Sequence, residues 1–157
     1  FFNSNMSIVI TLIYITLLHT FAILIIMIYC YLIDRLSIFQ LKEVKMPEHK
    51  EKYAQDIHDI LNDIDIILEE SPGKVDAKLI RAIVVLSQMN AHIWYNESDV
   101  RSGVKGSDNL LLTHGLNGIR NTAKNFITDI LGGRKDHKID CLAADFKEWE
   151  VSWEDEV

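Results

Sequence analysis

From Phe1 to Ile33 the sequence has no Asp, Glu, Lys or Arg. Other shortages exclude whole classes. Two cysteines cannot make a disulfide framework. Seven glycines and two prolines exclude collagen-like and Pro/Gly-rich disordered chains. A basic excess is missing, with Lys+Arg at 16 against Asp+Glu at 23 and a net charge of −7. That balance argues against a nucleic-acid partner, which would need a basic footprint. The chain lacks a Gly-x-Gly-x-x-Gly fingerprint, a Walker A loop and a nucleophile elbow. The Glu-x-x-His pairs of di-iron bundles are absent too. Neither a cofactor, a metal site nor a catalytic set is therefore expected, and the balance leans away from an enzyme. A length of 157 residues supports one domain with a modest core.

What is present divides at residue 45. Residues 8–33 are almost entirely Ile, Leu, Thr, Tyr, Phe and Met. About 20 apolar residues in a helix span a bilayer core, so this run is long enough. Residues 1–45 carry Arg35, Lys42 and Lys45 against Asp34 and Glu43, net +1, which leaves −8 for residues 46–157. Two readings of segment 1–45 stay open. As a membrane anchor, its cations all follow the span, which places the C-terminal part in the cytoplasm and the protein in the inner membrane. As translated upstream DNA, its AT-rich-codon composition and the run Lys42-Glu43-Val44-Lys45-Met46 fit a ribosome-binding sequence ahead of Met46. A start at Met46 gives a cytoplasmic protein, and a membrane partner exists only if residues 8–33 are translated. A secretory signal fits poorly, because no basic residues precede the run and no small-x-small site follows it.

Residues 46–150 read as a helical domain and 151–157 as an acidic tail. Tyr53, Ile57, Ile60, Leu61, Ile64, Ile67 and Leu68 recur at helical spacing between aspartates, which predicts a helix over 53–68. Pro47 suits its first turn, and Ser71-Pro72-Gly73 stops it. A second helix is expected over 76–101, capped by Asp76, with the stripe Leu79, Ile83, Leu86, Asn90, Ile93, Glu97 and Val100. Gly103 and Gly106 mark the next turn. A third helix is expected over 108–131, and a shorter fourth over 139–149. The fold class is thus all-α, a small up-down antiparallel bundle of three to four helices preceded by an apolar N-terminal helix.

Polar residues on the seams are the anomaly. Asn90, Trp94, Glu97 and Arg101 fall on one stripe of the second helix, and Asn117, Arg120, Asn121 and Lys124 lie on the third in the same fashion. If those helices are antiparallel, residues whose numbers sum to about 210 lie level. Asn90 then faces Arg120, Trp94 lies between Gly115 and Gly118, and Glu97 nears Thr113 and His114. Two readings follow. One is a polar seam that fixes helix register. The other is a ligand pocket in which Glu97 and Arg120 face a small molecule. His58, Asp59, Asn62 and Asp63 read as a solvated face rather than as metal ligands.

The run Asn90-x-x-Ile93-Trp94-x-x-Glu97-x-x-Val100-Arg101, then Leu116-Asn117-x-x-Arg120, resembles a group of small uncharacterised helical bacterial proteins, some encoded among surface-polysaccharide genes. The resemblance covers about 86–131 and implies a helical fold of bacterial or phage origin. It brings no biochemistry with it. The expected function is a non-enzymatic binding or accessory module with an unknown protein partner or self-association. The alternatives are a ligand-binding or enzymatic bundle using Glu97 and Arg120, and a single-span membrane protein with a cytoplasmic bundle.

Overall fold

A computed structural model describes residues 2–70, 75–104, 106 and 109–131. The helix expected at 139–149 and the acidic tail lie outside them. Four α-helices are found among the described residues: α1 Phe2–Lys45, α2 Lys50–Glu70, α3 Ala77–Arg101 and α4 Asn109–Ile130. No strand occurs among these residues. The chain is an all-α up-down bundle, as the periodicity predicts.

Each helix begins and ends for local reasons. Pro47, which lacks a backbone N–H to lose, opens a single 3-10 turn, Pro47–His49, that reverses the chain between α1 and α2. Asp76 caps α3 by accepting from the Leu79 N–H at 2.9 Å, satisfying a donor that has no partner inside the helix. At the far end of α3, Gly103 adopts φ +74°, which lets its N–H reach Val100 and that of Val104 reach Asp99.

The α3–α4 pair is antiparallel and closely packed. Leu79, Ala82, Leu86, Leu116, Ala123 and Ile127 are almost completely removed from water. Ala82 and Ala123 let the two backbones approach, and the larger side chains fill the seam above and below them. The buried face of α3 runs through Leu79, Ala82, Val85, Leu86, Met89, Asn90 and Asn96. It keeps Leu79, Leu86 and Asn90 of the expected stripe, but takes Ala82 in place of Ile83 and Asn96 in place of Glu97.

The first helix is the centre of the bundle. It packs against α2 on one side and against α3 and α4 on the other, and α2 touches neither α3 nor α4. Tyr29, Cys30, Leu32, Ile33 and Asp34 of α1 are buried, with Leu36 and Phe39 packed at the edge. The boundary expected at 45/46 falls in the turn after α1, while the core runs across it.

The N-terminal half of the same helix is different. Ile8, Ile10, Leu12, Ile13, Leu17, Leu18, Phe21, Leu24 and Met27, among others, are exposed on every side. Met6–Lys45 is one helix long and apolar enough to cross a membrane, and its most apolar window is wholly unburied. At 1.5 Å per residue, the apolar stretch 6–28, in which Ile23, Ile25 and Ile26 are part-buried and the rest exposed, is roughly 35 Å long, close to the thickness of a bilayer core. Its three threonines, Thr11, Thr16 and Thr20, each donate to the carbonyl four residues back, at 2.8–2.9 Å. Their hydroxyl protons are thus satisfied without water.

Candidate functional site

The polar residues of three helices converge on one carboxylate. Asp34, on the turn of α1 where charges first appear, has a side chain only 7% exposed. Arg120 of α4 grips it with two nitrogens, Nε to Oδ1 at 3.3 Å and Nη2 to Oδ2 at 2.5 Å. Lys124, one turn further along α4, donates from Nζ to Oδ2 at 3.2 Å. Asn90 of α3 donates from Nδ2 to Oδ1 at 2.9 Å, and its other hydrogen goes to Ser37 Oγ at 2.6 Å. Ser37 in turn donates to the Asp34 backbone carbonyl at 2.8 Å. Four donors fill the roughly four lone-pair positions that an ionised carboxylate offers. A buried carboxylate is tolerated on those terms, paired and fully hydrogen-bonded. Cys30, one turn before Asp34, lies with Sγ 3.5 Å from the Lys124 carbonyl, which fixes α4 to the same stretch of α1.

The expected residues separate into two groups. Asn90 and Arg120 do come together, with Asp34 between them. Trp94, Glu97 and Arg101 lie elsewhere, along a surface depression of about 400 Å³ that Ser98 and Ser102 also line. There Arg101 Nη2 meets Glu97 Oε2 at 2.6 Å as an exposed pair one helical turn apart. Among the described residues Glu97 and Arg120 therefore engage different partners. Asn117 is half-buried on α4. Asn96, not Glu97, reaches Thr113, at 2.8 Å, and also the Asn109 carbonyl at 2.7 Å. Its Oδ1 is buried without a partner. Trp94 is half-buried, Gly115 buried and Gly118 half-buried.

Sequence reasoning missed Asp34, Ser37 and Asn96; it placed Lys124 with Arg120 on the third helix without a partner, and set Thr113 beside Glu97 where the structure sets it beside Asn96. For Asp34 a signal existed. It is the first formal charge after 33 residues without one, and four residues after Cys30 it continues the same helical face.

Around the cluster, the cations that follow Asp34 lie on aromatic rings. Arg35 and Lys42 each sit 5.0 Å from the Phe39 centroid, and Lys45 sits 4.8 Å from that of Tyr95. Phe39 meets Tyr53 of α2 edge to face at 5.9 Å. Lys45 and Tyr95 also border a groove of about 370 Å³ between α1 and α3, whose inner end is Ser37. Among the described residues no group of three His, Cys, Asp or Glu side chains could hold a metal ion.

Fold and cluster together define an all-α protein in which one helix serves both as an exposed apolar rod and as the central member of a bundle. The chain matches no protein-family model, no curated protein and no solved structure.

Proposed function

We propose that the chain is a single-span membrane protein whose cytoplasmic helical bundle is a non-enzymatic binding module. One observation carries this reading. The helix α1 is continuous from an apolar stretch exposed on all sides to a stretch buried at the heart of the bundle. A helix that is apolar all round needs either a protein core or lipid around it, and no described part of the chain surrounds residues 6–22. The internal bonding of the threonine hydroxyls supports the same medium. Arg35, Lys42 and Lys45 follow the span closely, which favours a cytoplasmic bundle.

Translated upstream DNA is the poorer account of residues 1–45. A chain starting at Met46 would leave Arg120 and Lys124 without the carboxylate that both contact. It would also remove α1, the helix that α2 packs on among the described residues. The module reading rests on the seams. The polar groups are spent on one another at the core, and the sequence resemblance to small bacterial helical proteins brings no reaction.

The test is fractionation of C-terminally tagged protein expressed from its own upstream DNA. The expected result is a product that resists alkaline carbonate extraction and whose intact mass includes residues before Ile8. A carbonate-soluble product whose mass begins at Met46 would overturn the reading.

A further inference from the structure

Two cations share one carboxylate at the point where α1 leaves its apolar run. Arg120 and Lys124 both contact Asp34, so among the described residues the cluster holds one positive charge in excess. Neither cation is sealed in: the Arg120 side chain is 21% exposed and that of Lys124 31%. Asp34 has no acceptor capacity left, whereas Lys124 spends one of its three hydrogens on it. The excess charge is a local exception, because residues 46–157 are net −8.

The place of the cluster along α1 says which anion it fits, on the reading of α1 as a membrane anchor, on which this inference rests. Asp34 lies one to two turns beyond Met27 and Ile28, the last exposed aliphatic side chains of the apolar run, at the depth where hydrocarbon gives way to headgroups. Tyr31, exposed, and Arg35, exposed beside it on the next turn, are residue types that settle at that depth. The exposed aliphatic side chains of α1 run on from there, alongside any acyl chain. A phosphodiester carries a single negative charge, equal and opposite to the excess. We propose that Arg120 and Lys124, held over Asp34, bind the phosphate of an anionic phospholipid headgroup.

The experiment uses the full chain in vesicles of phosphatidylcholine alone and of equal phosphatidylcholine and phosphatidylglycerol. Carbonate extraction comes first, and release of the wild type from both vesicles would end the anchor reading and this one with it. Native mass spectrometry of the retained protein then counts the lipid it carries. The wild type is expected to keep phosphatidylglycerol in preference to phosphatidylcholine. Lys124→Met leaves Asp34 paired one-to-one with Arg120, and should lower that retention about tenfold, the worth of one charge-assisted contact. Lys124→Arg should restore it, and Lys52→Met, on the exposed face of α2, should change nothing. A firmly inserted wild type with no preference for the anionic lipid overturns the proposal, as does equal retention by Lys124→Met. Displacement of the bound lipid by millimolar inorganic phosphate would assign the site to a soluble phosphate, against a headgroup.

Discussion

Asp34 is the residue on which most depends, and its neighbours do not depend on it equally. Removing a partner from a buried ion cluster leaves the remaining charges uncompensated, at a cost of about 3–5 kcal/mol. Arg120 and Lys124 keep part of their surface in water, which favours the lower end of that range. Asp34→Ala should therefore destabilise the bundle by about 3 kcal/mol in urea denaturation of the detergent-solubilised protein. Lys124→Met keeps the Arg120–Asp34 pair and should cost under about 1 kcal/mol. Equal losses in the two variants would mean that the cluster is not organised around the carboxylate. Half of this arrangement was legible in the sequence. Asn90 and Arg120 stand out as polar residues on apolar seams, and antiparallel helices set them level. Asp34 was legible only as the first charge after the apolar run, where an acid reads as a flank of the span. Only the packing of α1 into the bundle reveals it as the shared partner.

At the scale of the helix, α3 shows how a small rotation changes which residue matters. A stripe through Asn90 and Glu97 and a stripe through Met89 and Asn96 both satisfy the helical period. The buried face of α3 takes Asn90 from the first and Met89 and Asn96 from the second. Sequence periodicity cannot choose between Asn96 and Glu97, since the two stripes are neighbours and each contains polar members. Asn96 then reaches Thr113 and the first residue of α4, while Glu97 turns to Arg101 at the surface. Asn96→Ala should cost about 1 kcal/mol, the net worth of its hydrogen bonds offset in part by removal of an unpaired oxygen. Glu97→Ala breaks only an exposed pair and should fall within about 0.5 kcal/mol of wild type. Thermal melting of the two variants side by side decides the matter, and the reverse order would place Glu97 on the buried face.

Across the whole molecule, the anchor and the bundle are one object because they share a helix. A flexible linker between span and domain would let each fold alone. Here the stretch of α1 from Tyr29 onward is core to the described helices after it: among these, α2 packs on α1 alone, and α3 and α4 send Asn90, Arg120 and Lys124 into it. The periodicity of residues 53–131 predicts three of the four helices and their order. It is silent on α1, because a run that is apolar on every face has no stripe to show where protein contact begins. Two truncations separate the roles of its halves. A chain of residues 23–157 loses most of the exposed rod but keeps Tyr29, Cys30 and Asp34. It should melt cooperatively and leave the membrane fraction. A chain of residues 46–157 loses the partner of α2 and the counter-charge of Arg120 and Lys124, and should show no cooperative transition in calorimetry. If residues 46–157 instead melt as sharply as 23–157, α1 is dispensable to the bundle. The continuity between membrane helix and core would then play no part in holding the fold.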